Sequence, residues 1–340
     1  MTELSKIDVE LMGKRIPLQE APIIDLAPFF EGSEEGKKET ALALRNACIN
    51  FGFMYVKNHG VPQELIDATY DWGKRFLAET TPEERAGIAM AGNAHNRGYF
   101  QLGEESLDPE EQGDLKEGFN VGREISPDDP EFGLSLRGPN VWPESMPAFR
   151  DAMLTYYDAM KSLSEKIIHV FAMSLDMPED YFDGMVDKPL ATMRFLHYPP
   201  QKGDIHKKQI GAGAHTDYGC FTLLSQDEAG GLQARNVAGD WIEIPPVPGT
   251  FVMNIGDMFQ HWTNGVYVST LHRVINAGDK DRYSLPFFYD PNFDAVIEPL
   301  PSCVTPENPQ AYPVTTGGQH LLEKLGATYQ FEISKEGVPA

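Results

Sequence analysis

From Thr192 to Tyr289 the chain breaks into seven short runs, "TMRFLHYPP", "CFTLLSQD", "GLQARN", "DWIEIPPV", "TFVMNIGD", "STLHRVIN" and "RYSLPFFY". Each is rich in aliphatic, aromatic or β-branched residues, and Gly, Pro, Asn or Asp punctuates the gaps, the pattern of strands joined by turns. Seven strands at this spacing predict a sandwich, barrel or jelly roll. The preceding residues read differently. "PIIDLAPFF" and "FMYVKNHG" predict short strands, whereas "EEGKKETALALRNACINFG" and "PQELIDATYDWGKRFLAET" have helical apolar spacing. A much longer helical pattern runs from Met146 to Met177, a scaffold helix in which His169 reads as a packed side chain. Between them, residues 90–125 are rich in glycine and acid and read as a long loop, and "TTGGQHLLEKLGATY" predicts a closing helix. The expected organisation is an α/β region over 1–189, a β core over 190–325 and a tail over 326–340.

Charge narrows the function. With 28 Lys and Arg against 51 Asp and Glu, the net charge of −23 repels phosphate backbones and anionic membranes, so no nucleic-acid or membrane partner is expected. The three cysteines are dispersed, odd in number and without a CxxC, which suggests neither a disulfide framework nor a cysteine zinc site. The opening residues lack an apolar run of signal-peptide type, so the cytoplasm is the expected compartment.

The stretch "GAHTDYG" sets His215 two residues before Asp217, and in an extended chain positions i and i+2 project to one side. Composition alone makes such a pair ordinary: nine histidines and 51 acids in 340 residues yield more than one His-x-acid by chance. A third ligand is needed, and His272 in "STLHRVIN" is the best placed, on a late strand that a jelly roll can lay beside His215. Two histidines and one carboxylate leave open positions on a metal, the donor set of non-haem Fe(II) oxygenases. Ten residues later "RYS" follows a Gly- and Asp-rich link, "NAGDKD", which predicts a hairpin that brings Arg282 and Ser284 beside His272. A guanidinium and a hydroxyl on one face suit a carboxylate, so a 2-oxo dicarboxylate could chelate iron at one end and be gripped at the other.

In this ordered set, "HTDYG", "NIGD", "LHRV" and "RYS", together with "PIIDL" and "GFMYVKNHGVP", the chain resembles the iron and 2-oxoglutarate dependent oxygenases of the isopenicillin N synthase-like branch. The likeness covers about residues 22–325. It implies a mostly β fold, a double-stranded β-helix (a distorted jelly roll) with flanking helices and an α/β N-terminal region. It also implies Fe(II) held by His215, Asp217 and His272, and 2-oxoglutarate held by Arg282 and Ser284 with Tyr198 of "HYPP" as a further contact. O2 would be the oxidant and succinate and CO2 the by-products.

Within that branch, "GPNVWP", "AHTDYG", "QDEAGGLQARNVAGDWIEIPPVPG" and "FFYDPNF" are similar to the homoarginine 6-hydroxylases and the microbial ethylene-forming enzyme, both of which handle a guanidino amino acid. The likeness sets Glu105 where the latter contacts the guanidinium, and residues 103–117 hold seven acids and one lysine, an acidic lid suited to a cation. Ser284 is kept and no long insertion separates Gly231 from Phe251, so hydroxylation of a homoarginine- or arginine-like side chain is expected rather than ethylene formation. Tyr218 is expected to line the substrate pocket and Tyr99 and Phe100 to wall it. Asn254 and Gly256 read as strand-turn residues, and Trp241 and Trp262 as core. Three other readings stay open: ethylene formation, an uncharged secondary metabolite as substrate, and a non-catalytic or zinc-binding jelly roll.

Overall fold

The computed structural model describes residues 14–15, 21–91, 95–108, 113–200, 210–236 and 238–328. Most of the polar lead-in, His206, residues 109–112 of the acidic stretch and the tail after residue 328 lie outside them. In chain order the elements begin with β1 (Lys14–Arg15), β2 (Ile23–Asp25), α1 (Ala27–Phe30), α2 (Glu34–Asn50), β3 (Phe53–Lys57), α3 (Gln63–Glu79) and α4 (Pro82–Gly87). Next come β4 (Gly98–Phe100), β5 (Glu117–Gly122), α5 (Pro147–Ser174), β6 (Thr192–Tyr198), β7 (Ala212–His215), β8 (Phe221–Gln226), β9 (Leu232–Arg235) and β10 (Trp241–Glu243). The last are β11 (Thr250–Ile255), α6 (Asp257–Trp262), β12 (His272–Val274), β13 (Arg282–Tyr289), β14 (Val296–Ile297), β15 (Thr315–Thr316) and α7 (Gly317–Thr328). None of the helices among the described residues is long and apolar enough to cross a membrane.

Two sheets form the core, a major one in the order β2-β3-β11-β8-β13-β6-β5-β4 and a minor one in the order β1-β10-β9-β12-β7. Strand alternation sorts the side chains of the major sheet. On β13 the even positions Arg282, Ser284, Pro286 and Phe288 line the cavity between the sheets, and on β6 Thr192, Arg194, Leu196 and Tyr198 do the same. The odd positions pack outward beneath the helices: Phe287 meets Tyr157 of α5, and Phe195 sits against Gly73 of α3. A Cβ on Gly73 would fall 2.2 Å from the Phe195 ring, so the missing side chain sets how closely α3 approaches the sheet.

Two expectations change. Residues 90–125 are not one loop, because β4 and β5 pair with each other and β5 continues the major sheet onto β6. Glycine hid these strands, and crowding explains it: a Cβ on Gly118 would lie 2.5 Å from the Phe195 carbonyl. Nor do β12 and β13 form a hairpin. β12 pairs with β7 and β9 in the minor sheet, and β13 with β6 and β8 in the major one. The "NAGDKD" link crosses between sheets, so Arg282 faces the histidines across the sandwich instead of beside them.

Candidate active site

His272 lies directly opposite His215 in the β7–β12 pairing, with the ring centroids 4.2 Å apart. Asp217, in the turn after β7, places Oδ1 3.7 Å from His215 Nε2 and 3.6 Å from His272 Nε2. Such donors can share one ion, since two bonds of roughly 2.0–2.2 Å span at most about 4.4 Å. Each ring is oriented from behind: Nδ1–H of His215 donates to the Gly213 carbonyl (2.7 Å) and that of His272 to the Thr270 carbonyl (3.1 Å). Both Nε2 lone pairs are thereby turned inward. Asp217 Oδ2 accepts from Asn254 Nδ2 (2.6 Å) and from the Thr222 hydroxyl, which leaves Oδ1 to the metal. Burial pushes the Asp217 carboxyl up, but His272, His215 and these two donors hold it below its ordinary value. Burial, and then the neighbouring His272, depress His215, so it stays neutral and able to ligate.

Across the sandwich Arg282 is 1% exposed. Its Nε–H donates to the Gly230 carbonyl (2.5 Å) and its guanidinium lies 4.7 Å from the Tyr198 ring centre, whereas Nη1 is buried with no hydrogen-bond partner among the described residues. An unmet buried donor costs about 1–3 kcal/mol, and a ligand carboxylate would satisfy it. Ser284, also buried, is the next residue on the same face of β13, and the residue pairing with Arg282 on β6 is Tyr198. The three residues fit the distal carboxylate of a 2-oxo dicarboxylate whose other end meets the metal.

The substrate-side expectations fare unevenly. Glu105 does line the cavity, but it is matched from within: Arg194 donates to both carboxylate oxygens (3.1 and 3.2 Å) and Lys116 lies 2.7 Å away. Lys116 also bridges to Asp114 at 2.6 Å, and Asp114 in turn accepts from the Gly213 N–H of β7, the strand that carries His215. Burial alone would raise the Glu105 carboxyl, yet Arg194 and Lys116 hold it far below the usual carboxylate range. The acidic stretch is therefore partly a buried ion network, not simply a solvated lid. Tyr218 lines the cavity, and its hydroxyl bonds Thr328 of α7. Tyr99 does not: with Phe119 and Phe195 it sits on the helix side of the sheet, where its ring meets Phe76 and its hydroxyl donates to Glu117 (2.6 Å). Phe100 has the opposite parity and supports the Arg194 guanidinium, 4.5 Å from its ring centre.

Four further residues belong to this site without a local sequence signal for it. Asn254 reads as a turn residue in the sequence, whereas it lies within β11 opposite Thr222 and reaches Asp217. Thr222 and Arg194 stand in ordinary strand patterns. Asp290 lines the cavity just beyond β13, and burial, opposed by the Cys220 N–H and reinforced by Asp217, pushes its carboxyl up to about 7. Helix α7 adds Leu321 and Leu325 to the lining, while Lys324 pairs with Asp257 (2.6 Å), which accepts from Thr216 between His215 and Asp217.

A two-sheet core enclosing an N2O donor set and a buried cationic anchor defines a non-haem iron oxygenase that takes a 2-oxo acid as cosubstrate. Comparison with known proteins agrees. Residues 189–291 match the 2OG-Fe(II) oxygenase superfamily, and residues 21–145 match the non-haem dioxygenase in morphine synthesis N-terminal family. The chain belongs to the 2OG-Fe(II) oxygenase superfamily. It is 39% identical to the Emericella nidulans 2-oxoglutarate-Fe(II) type oxidoreductase hxnY, over 87% of this chain and 86% of that protein. It is also 39% identical to a Glycine max homoarginine-6-hydroxylase, over 89% of this chain and 96% of the relative. Among solved structures, a full-length Neurospora crassa protein crystallised in complex with α-ketoglutarate and thymine superposes with a TM-score of 0.80 at 31% identity, covering 90% of this chain and 96% of that one.

Fe(II) and 2-oxoglutarate are thus the cofactor and cosubstrate, and together they supply activation of O2 coupled to oxidative decarboxylation of the 2-oxo acid. The chain supplies the rest. It presents two imidazoles and one carboxylate to a single point, sets a buried guanidinium across the cavity, and walls that cavity with the apolar side chains Leu190, Leu196, Leu224 and Phe288.

Proposed function

We propose that this oxygenase hydroxylates the side chain of a guanidino or other cationic amino acid, such as L-homoarginine or L-arginine, with release of succinate and CO2. His215, Asp217 and His272 hold the iron; Arg282, Ser284 and Tyr198 hold 2-oxoglutarate; Tyr218 faces the substrate. The observation that carries the oxygenase reading is Arg282 Nη1, a buried donor without a partner among the described residues, on the cavity side opposite the triad. The cationic substrate is supported by likeness to homoarginine-6-hydroxylases of Glycine max and Arabidopsis thaliana, at 39% and 36% identity. Acidic side chains in the cavity support it too.

The pairing of Glu105 with Arg194 and Lys116 favours a second reading, an uncharged substrate, because an acid so matched is a weak receptor for another cation. Incubation with Fe(II), 2-oxoglutarate, O2 and a panel of cationic amino acids and neutral heterocycles, read by mass spectrometry, separates the two. One added oxygen on a cationic amino acid is expected. Oxygen added only to neutral compounds would overturn the proposal, and ethylene in the headspace would replace hydroxylation with the alternative outcome.

A further inference from the structure

Among the described residues, two carboxylates besides Asp217 line the cavity, Glu105 and Asp290. They differ in what already holds them. Both oxygens of Glu105 are taken by Arg194 and a third contact comes from Lys116. Asp290 is 5% exposed and its Oδ1 accepts from the neutral Cys220 N–H at 3.2 Å; among the described residues no cation pairs with it. A buried carboxylate without a positive partner is costly, and the cost is recovered when a cation arrives.

Its position also suits a substrate. Asp290 continues the inward-facing series of β13, eight residues on from Arg282 and just past the end of the strand. The 2-oxoglutarate anchor and this acid therefore stand at opposite ends of one strand, with Thr222, the partner of Phe288 and a donor to Asp217, near the Asp290 end. Gly219 makes the approach possible. A Cβ there would lie 1.4 Å from Asp290 Oδ1, so the carboxylate occupies the space of a missing side chain two residues after Asp217.

We propose that Asp290, not Glu105, is the group that receives the cationic end of the substrate and sets the preference for a charged side chain. A guanidinium can engage its carboxylate through charge-assisted hydrogen bonds. The inference rests on the proposed cationic amino-acid substrate.

The test compares L-homoarginine with L-homocitrulline, which has the same shape but a neutral ureido group, in the wild type and in Asp290→Asn. Asparagine keeps an acceptor for the Cys220 N–H and removes the charge. In the wild type kcat/KM is expected to favour homoarginine by roughly 10–150-fold, the span of a charged hydrogen bond worth about 1.5–3 kcal/mol. In the variant the two substrates are expected to come within a few-fold, through a raised KM for homoarginine, with KM for 2-oxoglutarate unchanged. If Asp290→Asn does not fold, Asp290→Ser, which also drops the charge, is read the same way. A variant that keeps the wild-type preference overturns the role of Asp290 and leaves the cationic substrate standing. A wild type that turns over none of homoarginine, arginine and lysine overturns both.

Discussion

Asp217 divides its two oxygens between tasks: Oδ1 faces both histidines, while Oδ2 is fixed by Asn254 and Thr222. Outer partners of metal ligands typically contribute 10–100-fold to metal affinity. Asn254→Ala is accordingly expected to weaken Fe(II) binding by roughly that factor in an anaerobic titration, without loss of fold. Glu105 makes a different prediction, one about stability. Glu105→Gln strips a charge from a pair of buried cations, and breaking a buried ion pair costs about 3–5 kcal/mol. Its folded carboxyl titrates below the ordinary value of 4.5. The stabilisation is therefore fully present above pH 4.5 and is lost as the pH falls through the depressed folded value. Urea denaturation of both proteins should show a gap that is constant near neutrality and narrows in acid; a gap independent of pH would contradict this. The grouping of His215 with Asp217 was legible because the two sit two residues apart, and the shared face of Arg282 and Ser284 followed from strand alternation, although not their place across the cavity from His272. Asn254, Thr222 and Asp290 were not, because each acquires its role only when distant strands pair.

At the scale of elements, the sequence announced strands and helices well where periodicity was strong. Helix α5 spans Pro147–Ser174 within the predicted Met146–Met177, and α7 fills the predicted closing helix. It misled where glycine serves packing, as in β5, and where a turn-rich link looked like a hairpin but carries the chain from one sheet to the other. Local turn chemistry cannot distinguish these, since the choice is made by which sheet edge each strand finds. The close contact between α3 and the major sheet gives a prediction at this scale. Gly73→Ala places a methyl against the Phe195 ring, and overpacking of this kind costs about 1–3 kcal/mol. The urea midpoint should fall without a change in the slope of the transition, and an unchanged midpoint would mean that α3 is free to move outward.

For the molecule as a whole, the fold sets the His215, Asp217 and His272 cluster of the minor sheet and its following turn across one cavity from Arg282 on the major sheet, and α7 contributes Leu321 and Leu325 to the lining. The N-terminal α/β region is part of this construction, since β2 to β5 extend the major sheet on both edges. The central claim is that three side chains bind one ferrous ion while Arg282 holds 2-oxoglutarate across the cavity. Succinate production by the purified chain, supplied with Fe(II), O2, 2-oxoglutarate and the amino-acid panel, tests it most directly. The wild type is expected to form succinate only when iron and O2 are both present, His272→Ala to form none, and Arg282→Ala to need roughly 10–100-fold more 2-oxoglutarate. Succinate formation that persists without iron, or survives unchanged in His272→Ala, would contradict the account.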